Sequence, residues 1–392
     1  APAHALLRVG LRGRDLERDT RAGSNLVFLI DVSGSMDAPE KLPLLVSALK
    51  LLVQQLDGRD TLAIVTYAGA SGLVLPATSC DHQRVIANAL DALASGGATN
   101  GSAGIELAYQ IAAANFTRTG QNRVILCTDG DFNLGTTSLE GLQQLIERER
   151  ASGVFLSVLG FGPDGADDAT MELLADKGDG NYAFIDTFAE ARKVLAREFG
   201  STLVTVAKDV KLQIEFDRER VQAWRLVGYE NRVLADADFD DDRKDAGEIG
   251  AGKTVTALYE LVPVGVAFDG AEPGPDAPAA SATAFDGELA KVRLRYKRAG
   301  GELSQFRTTV VRETGTSWQD AGAEFQFAAA VAAFGLQLRG SAYAGTFTLR
   351  DVLNLAVAAT SARGRGADED VDRAEFVELV RAAQRIASGA VH

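Results

Sequence analysis

Between residues 25 and 200, short apolar runs alternate with stretches whose apolar residues recur at helical spacing. Runs such as 25–31, 123–128 and 154–161 are almost continuously apolar, as expected of strands buried on both faces of a parallel sheet. Parallel strands need crossover connections, which are usually helices, so this alternation is typical of a doubly wound domain. The sequence therefore predicts an α/β fold with a mostly parallel six-stranded sheet covered by helices on both faces.

The individual elements of this region follow from the same periodicities and from turn residues. Pro76 is expected to end the short third strand, because proline has no amide to donate to a sheet. The predicted strands are 25–31, 61–67, 72–75, 123–129, 154–161 and 182–186. The predicted helices are 41–56, 81–93, 101–115, 139–150, 168–176 and 188–200.

After residue 208 the pattern changes to a period of two, in 210–216, 255–262 and 289–296. Strands without intervening helices predict an antiparallel β unit. The segment 5–11 has the same strand character but precedes the α/β region, so we expect it to join this later unit. The α/β domain would then be an insertion.

The last part of the chain shows apolar residues at helical spacing in 323–338, 349–360 and 370–386. A Pro-, Ala- and Gly-rich stretch, 271–283, is expected to be a poorly ordered loop. We therefore divide the chain into an N-terminal strand segment (1–22), an α/β domain (23–205), a β unit (206–320) and a helical C-terminal region (321–392).

Composition narrows the classes of partner. The formal net charge of −14 argues against nucleic acid, which is bound through a basic surface. No stretch reaches the roughly 18 consecutive apolar residues of a membrane-spanning helix, so no transmembrane segment is predicted in this chain. An acidic chain instead suits metal cations or basic partners.

Oxygen-bearing side chains gather at the predicted carboxyl ends of two strands. Asp31 ends the first strand and is followed by Ser33 and Ser35, Asp129 ends another strand, and Thr99 precedes a helix. In doubly wound sheets, ligands bind where the strand order reverses, at these carboxyl ends. Carboxylates and hydroxyls are hard ligands, which favours Mg²⁺, with Mn²⁺ or Ca²⁺ as alternatives. The absence of His and Cys from the set argues against zinc.

These five residues resemble the metal-ion-dependent adhesion site of the von Willebrand factor type A family, with Asp-x-Ser-x-Ser and a distant Thr and Asp. The resemblance covers about residues 25–200. It implies that Ser33 and Ser35 bind the metal directly, that Thr99 binds directly or through water, and that Asp31 and Asp129 bind directly or through metal-bound water. It also implies a protein partner whose exposed Asp or Glu takes the open coordination position, without catalysis.

Over its whole length the chain is similar to bacterial YfbK-type proteins, which carry a type A domain and a C-terminal domain of unknown function. The segments that carry this likeness are 129–133, 238–242 and 245–252, together with the helical tail. Members of that group commonly belong to the cell envelope, so the resemblance implies an extracytoplasmic location in the bacterial cell envelope.

Two other functions suit a divalent cation at strand ends. A Mg²⁺-dependent phosphoryl-transfer hydrolase is one, but enzymes similar to haloacid dehalogenases need a second Asp where Ser33 stands, and no Lys follows Asp129 closely. A scaffold whose metal only holds loops in place is the other, and ligand exchange at the metal would distinguish it. Serine-nucleophile catalysis is disfavoured because the chain has only three histidines, His4, His82 and His392.

A second acidic stretch, 236–245, has enough carboxylates for calcium but lacks the twelve-residue loop pattern with Gly at the sixth position and Glu at the twelfth. We interpret it as a charged hairpin tip. The glycine-rich run 96–104 lacks the Gly-Lys-Ser/Thr ending of a phosphate-binding loop, so phosphate binding is not predicted.

Overall fold

The computed structural model describes most of the chain and assigns its strands and helices. The described residues are 4–15, 22–68, 72–96, 101–130, 138–162, 168–198, 205–229, 238–241, 247–266, 285–298, 301, 303–318, 320–361 and 369–389. The strands are β1 Ala5–Arg12, β2 Ser24–Asp31, β3 Thr61–Tyr67, β4 Gly72–Ser79, β5 Gln121–Thr128, β6 Val154–Phe161, β7 Tyr182–Ile185, β8 Thr205–Phe216, β9 Val221–Val227, β10 Gly247–Gly250, β11 Thr254–Pro263, β12 Ala290–Arg298 and β13 Ser304–Val311. The α-helices are α1 Leu42–Val53, α2 Gln83–Asp91, α3 Gly101–Ala114, α4 Leu139–Ala151, α5 Asp168–Lys177, α6 Phe188–Ala191, α7 Ala323–Leu338, α8 Leu349–Ser361 and α9 Glu369–Ala387.

Six strands form the predicted sheet, in the order β4-β3-β2-β5-β6-β7. All neighbours are parallel except β3 and β4, so the predicted α/β fold is confirmed. Every residue of β2 is buried, because this strand lies inside the sheet and is covered on both faces. One hydrophobic cluster joins the sheet to α1 and α2, and another joins its opposite face to α3, α4 and α5.

The predicted end of β4 at Pro76 is wrong, because the strand continues to Ser79. β4 is an edge strand that pairs only with β3 in the described sheet. Between the pairs Ile64↔Leu75 and Leu62↔Thr78 the register shifts, so Pro76 lies in a bulge where the ladder needs no donor from it. Proline is compatible with an edge strand in this position.

The single α-helix predicted for 188–200 is also wrong. α6 ends at Ala191, and the chain continues as a π-helix, Arg192–Glu198, while 199 and 200 lie outside the described residues. Val194 and Leu195 are buried in the same cluster as α1. The spacing of apolar residues over so short a segment does not distinguish a π-helix from an α-helix, which explains the error.

The β unit consists of two sheets, β1-β11-β9 and β10-β8-β12-β13. β1 pairs with β11 along its whole length, from Ala5↔Leu261 to Arg12↔Thr254. Side chains from both sheets form one core, in which the ring of Phe216 lies 4.7 Å from that of Trp224. The six-stranded α/β domain therefore lies between β1 and β8 in sequence and is an insertion into this β sandwich.

Helices α7, α8 and α9 form the C-terminal region, where Phe327 and Phe334 pack edge-on against Phe376. None of the helices in the described ranges has the length and apolar character needed to cross a membrane. The predicted loop 271–283 lies outside the described residues, as does most of the acidic stretch 236–245. The four predicted segment boundaries remain predictions.

Close packing of α3 on the sheet yields a testable prediction. A Cβ at Gly104 would lie 2.8 Å from the Cβ of Tyr67, whereas nothing lies within 4 Å of a Cβ at Gly335 in α7. Gly104→Ala should therefore destabilise the protein by about 1–3 kcal/mol through overpacking. Gly335→Ala, the matched control, should stabilise its helix by up to about 1 kcal/mol. Thermal melts of both variants test this, and equal shifts would contradict the packing argument.

Candidate metal centre

The predicted site lies at the carboxyl ends of two adjacent parallel strands. β2 and β5 are neighbours in register Ile30↔Cys127, so Asp31 and Asp129 leave the sheet side by side. The chain runs from β2 to β3 on one side, and β5 lies on the other, which makes this the point where the strand order reverses. Asp31 is fully buried, and Asp129 is 6% exposed.

The turn after β2 brings the two predicted serines together. Asp31 Oδ1 accepts a hydrogen bond of 2.8 Å from the Ser33 amide, and the hydroxyls of Ser33 and Ser35 lie 2.9 Å apart. A 3₁₀-helix, Gly34–Asp37, follows, and its buried Met36 anchors the turn in the core below α1. The structure thus brings together Asp31, Ser33 and Ser35 at the strand end.

Asp31 has the properties of a carboxylate that lacks a counter-ion. Its Oδ2 is buried and makes no hydrogen bond within the described part of the chain. Burial raises the pKa of Asp31 and the nearby Asp129 carboxylate adds to this, whereas hydrogen bonds from Ser33 and from the Tyr67 hydroxyl lower it. A buried oxygen of this kind, next to two hydroxyls and a second carboxylate, fits a hard divalent cation.

The described residues contain no cluster of three or more His, Cys, Asp or Glu side chains suited to a metal ion. A cation at this site would therefore depend on hydroxyl ligands as well as on Asp31 and Asp129. The sequence predicts a donor set of this kind, in which the neutral hydroxyl oxygens come from more residues than the carboxylate oxygens do.

Thr99 lies outside the described residues, so its place in the site stays a prediction. The chain on its N-terminal side is nonetheless held beside the turn. The Gly96 amide donates to the Val32 carbonyl over 2.7 Å, and the Ser95 hydroxyl lies 2.5 Å from Asp37 Oδ1. Ser95 and Gly96 therefore lie beside the turn that carries Ser33 and Ser35.

Sequence reasoning missed two residues beside the carboxylates. Lys41 Nζ donates to Asp129 Oδ2 over 2.9 Å, and Tyr67, fully buried, pairs with Asp31 in the register of β2 and β3. Burial raises the pKa of Tyr67, and the charge of Asp31 raises it further. Lys41 could have been noticed from the sequence, because a cation is unfavourable at the start of a helix such as α1.

Comparisons with known proteins agree with this fold. Residues 25–197 match the von Willebrand factor type A domain, and residues 201–386 match the family described as "Uncharacterized protein YfbK, C-terminal". The chain therefore contains a von Willebrand factor type A domain. This domain is followed by a YfbK C-terminal domain.

The Escherichia coli (strain K12) protein described as "Uncharacterized protein YfbK" is 43% identical to this chain over 383 residues. The match covers 97% of this chain and 65% of that protein, so this chain spans just under two thirds of its relative. An uncharacterised protein of Synechocystis sp. is 28% identical over 187 residues, which are 47% of this chain and 43% of that protein.

Among solved structures, a von Willebrand factor type A protein from Catenulispora acidiphila superimposes with a TM-score of 0.51. The superposition covers 97% of this chain and 90% of that chain, at 17% sequence identity. This likeness supports the fold alone.

Because the charge of Asp31 is buried, we expect its removal to stabilise the protein. A pKa that is raised in the folded protein means that the ionised carboxylate opposes folding at neutral pH and ceases to do so in acid. In the presence of a chelator, Asp31→Asn should therefore raise the melting temperature at neutral pH, and its difference from the wild type should narrow as the pH falls. A lower melting temperature for Asp31→Asn at neutral pH would contradict this. Asp91→Asn, at an exposed ion pair, is the control and should change little.

Proposed function

We propose that this chain binds a protein partner through a divalent cation, Mg²⁺ first and Mn²⁺ or Ca²⁺ as alternatives. Its ligands would be Asp31, Ser33, Ser35, Thr99 and Asp129, and an exposed Asp or Glu of the partner would take the open coordination position. The observation that carries the proposal is the buried Oδ2 of Asp31, which makes no hydrogen bond in the described residues and lies beside paired serine hydroxyls.

The charges of the donor set support ligand capture. Asp31 and Asp129 nearly balance a divalent ion, while hydroxyls and water leave it electrophilic. A carboxylate from another protein is then an effective further ligand. Von Willebrand factor type A domains commonly mediate protein–protein interaction, and residues 25–197 form such a domain.

We further propose that the site catalyses no reaction. The Ser33 hydroxyl lies 2.9 Å from that of Ser35 and also hydrogen-bonds to Asp31, a carboxylate that the proposed cation would occupy. Of the two described histidines, His4 is hydrogen-bonded to Glu260 in the β sandwich, and His82 precedes α2. Ser33 also occupies the position where a phosphoryl-transfer enzyme would need its second Asp. A location in the bacterial cell envelope remains a prediction from resemblance.

Metal binding is tested by the melting temperature after chelation and after Mg²⁺, Mn²⁺ or Ca²⁺ is added back. A cation at about 100 times its Kd stabilises the folded state by about 2.7 kcal/mol, so the melting temperature should rise by several degrees. Asp31→Ala should abolish the rise, and Ser33→Ala should weaken it less. A rise that persists in Asp31→Ala would refute the site assignment.

The control for this experiment is Asp240→Ala, which removes an exposed carboxylate from the acidic stretch and should leave the rise unchanged. Should Asp240→Ala abolish a rise with Ca²⁺, the cation would lie in the β unit. Thr99→Ala extends the test to the residue outside the described ranges and should reduce the rise.

Ligand exchange distinguishes an adhesion site from a structural metal. In the Mn²⁺-loaded protein, acetate should reach the metal, and the bound Mn²⁺ should accelerate the relaxation of the acetate methyl protons in NMR. Asp31→Ala with the same total Mn²⁺ is the reference. If the wild type binds Mn²⁺ but relaxes acetate no faster than this reference, the metal is a closed scaffold and the adhesion proposal fails.

A further inference from the structure

The proposed function assigns no role to Lys41, although this residue forms an ion pair with Asp129, one of the proposed metal ligands. Its ammonium donates to Asp129 Oδ2 over 2.9 Å, and the two side chains are 22% and 2% exposed. Hydrogen bonds between two charged groups are about twice as strong as neutral ones, and shielding from water strengthens them. One carboxylate of the proposed metal site is thus already bound to a cation that belongs to the chain.

The backbone beside the Lys41 side chain accommodates its ion pair with Asp129. Gly162, just after β6, has φ +126°, and a Cβ added there would lie 3.0 Å from Lys41 Cε. The absence of a side chain at Gly162 therefore leaves room for the lysine stem to pass towards Asp129. Lys41 also precedes α1, where a positive charge opposes the helix dipole, so the ion pair offsets an unfavourable position.

From this geometry we infer that Lys41 is an internal cation that competes with the divalent metal for Asp129 and lowers the affinity of the site for metal. The inference rests on the proposed function, because it concerns regulation of the same site. A metal that uses Asp129 must displace the ammonium or accept a positive charge next to it, and both weaken metal binding. Lys41 acts on the metal through Asp129 and is not itself a ligand.

The positive charge of Lys41 should strengthen the binding of the partner's carboxylate to the metal-loaded site. Asp31 and Asp129 supply two negative charges, Lys41 one positive and the metal two positive, which leaves one net positive charge at the loaded site. An Asp or Glu of a partner neutralises that charge. Without Lys41 the loaded site would be neutral, and the same carboxylate would leave it negative. Loss of Lys41 should therefore tighten metal binding and weaken carboxylate binding.

Calorimetric titration of Mg²⁺ and of Mn²⁺ into the chelated full chain tests the inference. Lys41→Met keeps a long apolar stem beside Gly162 and removes the charge, so it should bind both metals at least about tenfold tighter, which corresponds to about 1.4 kcal/mol. Lys41→Gln provides a second neutral variant in case the methionine variant folds poorly. Lys41→Arg keeps the charge and should stay close to the wild type.

Lys50→Met is the matched control. Lys50 lies on α1, the helix that Lys41 precedes, and it pairs with Asp91 at the surface, so removing it changes the net charge equally. The nine-residue separation of Lys41 and Lys50 corresponds to about 13.5 Å along a helix axis, beyond the Debye length of about 8 Å at physiological salt. The Lys50→Met variant should bind metal with the affinity of the wild type. If Lys50→Met tightened metal binding as much as Lys41→Met, the effect would reflect net charge, and the inference would be wrong.

The outcomes separate the inference from the proposed function. Metal binding by the wild type with unchanged or weaker binding by both neutral Lys41 variants overturns the inference and leaves the proposed function standing. Binding by the neutral variants alone supports the inference in its strongest form, with Lys41 blocking the site. No binding by any variant overturns both. Acetate relaxation by bound Mn²⁺ should fall in Lys41→Met, and an increase would count against the charge argument.

Discussion

The placement of two carboxylates at the ends of neighbouring, fully covered strands is the constraint on which the rest of the site depends. β2 and β5 are held in register by backbone hydrogen bonds, and the carboxylates at their ends, Asp31 and Asp129, are both buried. Asp31 and Asp129 therefore lie close together in a poorly solvated place, where two negative charges are unfavourable. A cation relieves this repulsion, and the described side chains supply one from Lys41.

The α/β domain that carries this site is connected to the rest of the chain at both of its ends. The α/β domain is inserted into the β sandwich, so it is connected to β1 at one end and to β8 at the other. Near its C-terminal end, the π-helix carries Lys193. Burial lowers the pKa of Lys193, but Glu190 and then Glu375 and Asp372 of α9 more than compensate and raise it. The helical region thus lies close enough to the last helix of the α/β domain to act on it electrostatically.

The two errors in the secondary structure have a common physical origin. Pro76 and the segment 192–198 both depart from the regular hydrogen-bond pattern of their element, one in a bulge and the other in a π-helix. Local propensity describes the regular pattern, and neighbours in space decide whether a departure is tolerated. At Pro76 the edge position of β4 removes the need for a donor, whereas Val194 and Leu195 are accommodated by α1.

By itself, the sequence determined the α/β fold, the strand that ends in Asp31, the turn with Ser33 and Ser35, and the strand after which Asp129 follows. Each of these rests on local periodicity or on short oxygen-bearing side chains at a strand end. Only the tertiary structure decided that Lys41 reaches Asp129, that Tyr67 lies beside Asp31, and that the β unit, which β1 joins as predicted, divides into two sheets. These contacts join residues far apart in the chain, and they depend on sheet order and on space beside residues such as Gly162, which no local pattern encodes.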